Sequence, residues 1–246
     1  MEEKRIPVGI QLYSLRTIIP EDVPGSLQKL ADMGYEGVEF AGYYGLGGAE
    51  LRKMLDDCGL RCGGSHTGLP TLADDTFEET VAMNKALGND RLIIPGADLD
   101  DLARTIDTFN AVHAKAKSVG MRCGYHNHTK EFETVDGVTR FARIFSETPD
   151  DFLVQVDIGW AAAAGQDVAA LLRQYAQRIE TVHVKEHNSR DKTAVVGEGE
   201  VDWPPVFDVL ERETSVQWYI VEQEQYAVGP MESARGCIEN IRKMGR

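Results

Sequence analysis

Histidines and carboxylates in this chain gather at the downstream ends of short, β-branched runs. The runs are Gly124-Tyr125-His126-Asn127-His128, Val154-Gln155-Val156-Asp157, Thr181-Val182-His183-Val184-Lys185 and Tyr219-Ile220-Val221-Glu222-Gln223-Glu224. Alternate side chains of an extended strand share a face. The two valines around His183 therefore take one side and leave Thr181, His183 and Lys185 on the other. The same parity groups His126 with His128, Gln155 with Asp157, and Ile220 with Glu222 and Glu224. Glu39 and His66 end two earlier runs. A hydrogen-bonded core histidine, or a carboxylate serving a lysine, accounts for any one of these groups. Six ionisable groups meeting at one place cannot all be buried unpaired, because uncompensated charge in a low-dielectric site costs several kcal/mol.

A shared cation relieves that crowding. His126, Asp157, His183 and Glu222 offer two imidazoles and two carboxylates, a donor set suited to one borderline divalent ion rather than to Ca²⁺ or a thiolate-seeking metal. Mn²⁺ is the first expectation, with Co²⁺, Zn²⁺, Fe²⁺ or Mg²⁺ as alternatives. His128, Glu131 and Glu224 would then orient the ligands or touch substrate. The competing account is a metal-free ion-pair network of Lys185, Glu222, Asp157 and the histidines. An ion held by adjacent oxygens of a hydroxyketone would polarise the carbonyl and acidify the neighbouring C–H. Base candidates are Glu222 or Glu224 on one side and His128 or Glu131 on the other, with Lys185 placed to stabilise an enediolate or donate a proton. Return of the proton to carbon means isomerisation or epimerisation. Departure of a β-oxygen means dehydration or glycoside cleavage.

The elements that must hold these groups alternate along the chain. Strand-like runs at Pro7–Tyr13, Gly37–Phe40, Cys62–Ser65, Arg91–Ile94, Arg122–His126, Phe152–Asp157, Thr181–Lys185 and Gln217–Glu222 are separated by helix candidates. Those are Gly25–Met33, Ala49–Cys58, Thr76–Leu87, Leu99–Val119, Val138–Ser146, Val168–Gln177, Val206–Arg212 and Met231–Lys243. Gly34, Gly59, Gly88 and Gly120 each close a helical stretch as a left-handed cap would. The alternation predicts an α/β fold, a single (β/α)₈ TIM barrel over residues 1–246, with chemistry at the C-terminal ends of the strands. A doubly wound open sheet is the rival, but Ser14-Leu15-Arg16-Thr17 lacks the glycines of a phosphate turn.

The net charge of −14 disfavours nucleic acid and anionic membranes as partners. With neither a signal-like start nor a long apolar run, a soluble cytoplasmic protein is expected. Oligomerisation is left open. Cys58, Cys62, Cys123 and Cys237 lack metal-knuckle spacing and are expected as buried thiols. Tyr13, Tyr43, Tyr44, Trp160 and Trp203 fall in or beside βα loops, where an aromatic face can stack on a sugar ring or form a hydrophobic rim. Glu39, His66, Trp160 and Tyr13 are the substrate-binding candidates. Gly197-Glu198-Gly199 reads as an ordered loop ending at a helix N-cap, Asp202. His113, on an outer helix, and His187, in a loop, are expected in solvent.

The ordered series Tyr125-His126-Asn127-His128, Glu131-Phe132, Asp157-Ile158-Gly159-Trp160, His183-Val184-Lys185, Gly197-Glu198-Gly199-Glu200-Val201-Asp202 and Val221-Glu222-Gln223 resembles the sugar phosphate isomerase/epimerase superfamily, the xylose isomerase-like TIM barrels. The likeness extends to Gly9-Ile10-Gln11-Leu12-Tyr13-Ser14 and Gly34-Tyr35-Glu36-Gly37-Val38-Glu39. It implies a metal-dependent enzyme acting on a sugar or keto-sugar, with ketose 3-epimerases, inosose dehydratases, enzymes acting on 3-keto-glycosides and AP endonucleases as relatives. A metal set of Glu, Asp, His and Glu from strands five to eight would map onto His126, Asp157, His183 and Glu222. Histidine at 126 departs from that set and removes one of the two glutamates that exchange the proton in ketose epimerases. A noncatalytic sugar-binding barrel is a further alternative; an AP endonuclease is disfavoured by the charge.

Overall fold

A computed structural model describes residues 5–246. Its parallel strands run in chain order around a closed barrel. They are β1 (Val8–Gln11), β2 (Gly37–Ala41), β3 (Arg61–His66), β4 (Arg91–Ile94), β5 (Arg122–His126), β6 (Leu153–Asp157), β7 (Thr181–Val184) and β8 (Trp218–Val221). Between them run α1 (Val23–Met33), α2 (Gly48–Cys58), α3 (Phe77–Ala86), α4 (Leu102–Ser118), α5 (Arg140–Ser146), α6 (Ile158–Ala163), α7 (Val168–Gln174) and α8 (Trp203–Glu213), and α9 (Pro230–Lys243) follows the last strand. The expected (β/α)₈ barrel is the observed fold.

Strand parity divides the core in two. Val8, Ile10, Val38, Phe40, Leu92, Ile94, Cys123, Tyr125, Val154, Val156, Val182, Val184, Tyr219 and Val221 point outward and join one buried cluster with the helices. Inside, Ile93, Leu153, Trp218 and Ile220 fill the lower barrel. Room for them comes from glycine: a Cβ at Gly37 would stand 2.6 Å from the Trp218 ring and from the Arg61 carbonyl, and one at Gly124 would stand 2.6 Å from Leu153. Above this apolar plug the inward positions are largely polar.

The helix ends follow the expected punctuation. Gly34, Gly59, Gly88 and Gly120 all have φ between 73° and 91°. Aspartates open several helices, as Asp101 does by accepting the Arg104 N–H at 3.3 Å, so α4 starts at Leu102 rather than Leu99. The expected helix from Val138 is corrected: Thr134–Val135 pairs antiparallel with Val138–Thr139 across Asp136-Gly137, both at positive φ. Such a pair makes the tight turn of a two-residue hairpin, and Thr139 then caps α5 through the Ala142 N–H at 3.1 Å. Helix α8 starts earlier than Val206, at Trp203, because prolines cost no hydrogen bond in a first turn. His113 is also corrected. It is buried, edge-on to Phe152 at 5.8 Å, and its Nε2 lies 2.9 Å from Asp151.

Of the four free thiols, Cys123 and Cys237 are buried and pushed up to about 12 by that burial, whereas Cys58 and Cys62 are half-buried. Among the described residues no helix is long and apolar enough to cross a membrane.

Candidate metal centre at the barrel mouth

The polar interior is built in layers. Lowest lie Gln11, Glu39, Gln155 and Thr181, all buried. Gln11 pairs in register with Glu39 across β1 and β2, and their side chains meet at 2.8 Å. Gln155 spans the barrel from β6, donating to Glu39 Oε1 at 2.8 Å and to Thr181 Oγ1 at 2.9 Å. Its carbonyl oxygen lies 2.8 Å from His66 Nε2 and 3.1 Å from His126 Nδ1.

On this floor stand His126, Asp157, His183 and Glu222, each offering a ligand atom within 4.8 Å of the others. Asp157 and His183 are register partners on β6 and β7. Asp157 Oδ2 is 3.8 Å from His183 Nδ1 and 4.0 Å from His126 Nε2, and Glu222 Oε2 is 2.9 Å from His183 Nδ1. Donors about 2–2.3 Å from one ion are separated by distances of this order. His66 forms a second, overlapping group with His126 and His183, and its ring stacks on His183 at 5.0 Å.

One atom tests the fit of a cation. Asp157 Oδ1 caps α6 by accepting the Trp160 N–H at 2.7 Å, whereas Asp157 Oδ2 is buried with no hydrogen-bond partner. An orphaned buried carboxylate oxygen, facing two imidazole nitrogens and a second carboxylate, would be satisfied by a divalent ion. The electrostatics agree. Burial raises the Asp157 pKa and the Glu222 charge adds to the rise, against the pull of Lys185. Burial, then the charges of His183 and His66, holds His126 neutral, well below the usual imidazole range. Burial pulls His183 down, but Glu39 and Glu222 flank its two nitrogens and carry it up to about 10. Glu39 is disfavoured as an anion by burial, yet its histidine and glutamine partners bring it down to about 2.

A cavity of about 330 Å³ opens above the cluster, lined by Tyr13, Ala41, His66, Pro95, His126, His128, Glu222 and Glu224. Four further candidates thus line it: Tyr13 and His66, expected as substrate contacts, and His128 and Glu224, expected to move protons. Lys185 stands beside the cavity rather than in its lining, 3.6 Å from Glu222, ion-paired with Glu224 and 4.5 Å above the Trp160 ring. Burial lowers the Lys185 pKa, but Glu222, Asp157 and Glu224 raise it further, so it stays charged. Trp160 supports Lys185 and lines a smaller cleft beside the mouth rather than the main cavity.

Glu39 needs correction, and Glu131 is engaged by other partners. Glu39 is fully buried and lies on the floor, beneath the histidines, so no substrate reaches it. Glu131 spends one oxygen on the Tyr125 hydroxyl at 2.6 Å and the other on the His128 N–H at 2.9 Å. It anchors the loop that carries His128 and borders a neighbouring cavity that His128 also lines. Glu131→Gln should therefore leave turnover within about threefold, whereas a proton-transferring carboxylate would lose about 10²–10⁴-fold. Steady-state rates of the two proteins decide between these roles.

Sequence reasoning assigns no role to Gln11, Gln155, Asn127 or Glu186. Parity alone turns Gln155 inward, and the same signal is present for Gln11, two residues after Gly9. Asn127 accepts the Asp157 N–H at 3.0 Å and so sets the end of β6. Glu186 gathers the loop after β7, accepting from the Gly197 N–H at 2.7 Å and the Trp203 indole at 2.9 Å. Its pattern of backbone partners has no periodic signature.

Fold and site together define a (β/α)₈ barrel with a cluster of imidazoles and carboxylates at its C-terminal mouth. The chain belongs to the xylose isomerase-like TIM barrel family, whose profile matches residues 27–244. It is similar to an inosose dehydratase of Clostridium perfringens, 30% identical over 136 residues that cover 47% of this chain and 45% of that one. The chain spans about half the length of the curated relatives it matches. Its structure is similar to a sugar phosphate isomerase/epimerase of Parabacteroides distasonis, with a TM-score of 0.84, 23% identity and coverage of 98% and 96% of the two chains. It is also similar to a D-allulose 3-epimerase from Methylomonas sp., with a TM-score of 0.71, 14% identity and 98% coverage of both. At these identities the structural likeness is one of fold.

Proposed function

We propose that the chain is an enzyme that isomerises or epimerises a sugar or keto-sugar through an enediolate, with one divalent ion held by His126, Asp157, His183 and Glu222. The observation that carries this is the unpartnered Asp157 Oδ2, facing three other donors under an open cavity. The ion, when bound, supplies Lewis acidity to a substrate carbonyl. The protein does the rest. Glu222 and Glu224 line one wall of the cavity, and His128 shares that lining from the loop after β5. A proton taken from carbon by one wall and returned from the other inverts the centre between them. Lys185 keeps its proton through the carboxylates around it and presents a positive charge to a developing oxyanion.

A second outcome, elimination of a β-oxygen, is favoured by one residue. His126 replaces the carboxylate that the resemblance places there, so the two walls are chemically unequal, and Lys185 can protonate a leaving oxygen. The inosose dehydratases among the relatives fit this outcome. Incubation of Mn²⁺-loaded protein with keto-sugars and inososes in D₂O, followed by NMR, tests both. Deuterium next to the carbonyl together with a new diastereomer is the expected result. Deuterium uptake with a dehydrated product selects elimination, and neither exchange nor product across the panel overturns the proposal.

A further inference from the structure

The hydrogen-bond directions on the barrel floor can be followed from a fixed starting point. Gln11 Oε1 accepts the backbone N–H of Tyr13 at 3.0 Å, and a backbone amide can only donate. Gln11 therefore turns its NH₂ to Glu39 Oε2, 2.8 Å away. Glu39 is an acceptor on both oxygens, so Gln155, which meets Glu39 Oε1 at 2.8 Å, must turn its NH₂ inward and its carbonyl away. That carbonyl faces His126 Nδ1 and His66 Nε2 and can only accept from them. On the other side, Glu39 Oε2 accepts from His183 Nε2 at 2.6 Å. Gln11, Glu39, Gln155, His126 and His183 are all buried, and no solvent competes for these bonds.

We infer that Glu39 and Gln155 are positioning residues that dictate which nitrogen each histidine offers to the metal: Nδ1 from His183 and Nε2 from His126. The inference rests on the metal site proposed above. A ligating imidazole must carry its proton on the distal nitrogen, and the partner of that nitrogen decides the tautomer. Here one acceptor array of Glu39 and Gln155 decides it for both rings, and it selects opposite nitrogens because Gln155 meets the Nδ1 edge of His126 whereas Glu39 meets the Nε2 edge of His183.

The array makes a testable demand on direction. In Glu39→Gln the new amide faces donors on every side. If its oxygen turns to His183 and Gln11, its NH₂ opposes Gln155, which must flip; the flipped NH₂ then forces the proton of His126 onto Nε2. If its NH₂ turns to His183, the proton of that ring is forced onto Nδ1. Either way one ligand nitrogen is lost. The exchange Glu39→Gln with Gln155→Glu restores every direction: the amide at position 39 accepts from Gln11 and His183 and donates to position 155, whose carboxylate accepts from His126, His66 and Thr181.

Two measurements use Zn²⁺ alone. In the Zn²⁺-loaded wild type labelled with ¹⁵N-histidine, long-range ¹H–¹⁵N spectra should show His183 bound through Nδ1 and His126 through Nε2, each with the other nitrogen protonated. Ligation of either ring through the opposite nitrogen overturns the inference. Competition with a chromophoric chelator should show Zn²⁺ affinity lower by about 10–100-fold in Glu39→Gln and back within about threefold of wild type in the double variant. Wild-type affinity in the single variant, or no recovery in the double one, refutes the array. A wild type that binds no Zn²⁺ instead refutes the metal site itself, and the inference falls with it.

Discussion

Replacing Asp157 by asparagine should make the metal-free protein more stable and the metal-supplemented protein nearly inactive. The gain follows from the buried, unpartnered Asp157 Oδ2, which lies beside the Glu222 carboxylate and whose burial raises the group's pKa. An unsatisfied buried polar atom costs about 1–3 kcal/mol, and more when charged. Asparagine keeps an oxygen for the Trp160 N–H, so the cap on α6 survives. For a chain of this size each kcal/mol moves the melting temperature by about 2–4 °C, which makes a rise of about 2–12 °C the expected result in chelator-treated protein. The loss has the same origin. An anionic ligand disappears from the four-donor set, and several kcal/mol of Lewis-acid stabilisation corresponds to about 10²–10³-fold in rate. A metal-free Asp157→Asn protein that melts below wild type would show that this oxygen is not left unsatisfied.

Lys185→Met should separate binding from chemistry. Methionine keeps an unbranched apolar stem and removes only the charged head, which stands 4.5 Å from the Trp160 ring and 3.6 Å from Glu222. Loss of a positive charge beside Glu222 does not weaken a cation site. Affinity for Mn²⁺ should hold or rise, while turnover falls by about 10²–10⁴-fold, the usual weight of a proton-transfer or oxyanion-stabilising group. Deuterium exchange at saturating Mn²⁺ reads the chemical step directly. Exchange at the wild-type rate would reduce Lys185 to a tether for Glu224, with which it also pairs.

These two experiments probe residues whose side is legible before any coordinates. Alternation with valine places Asp157, His183 and Lys185 on the interior face, and the same rule places Gln155 there without assigning it work. Helix caps and glycine exits are equally local and mark most element boundaries. The Asp136-Gly137 hairpin escapes the apolar pattern because Val138 and the residues after it also fit a helical stripe; the turn residues, not that stripe, carry the deciding signal. Glu131 shows the limit of motif position. It follows His128 closely in the chain, yet its oxygens are committed to Tyr125 and the His128 N–H and hold the loop in place.

The amino-acid order by itself determined the barrel, the inward set of polar residues and the four side chains that converge at its mouth, because strand alternation, helix periodicity and capping are properties of neighbours a few residues apart. Depth within the barrel was decided only by the tertiary structure. Glu39, at the end of an early strand, reads as a mouth residue, but closure of the sheet staggers each strand against the next and sets Glu39 level with Gln11, below the histidines. That stagger belongs to the closed ring of strands as a whole. It turns an expected substrate contact into the buried acceptor on which the proposed orientation of two metal ligands depends.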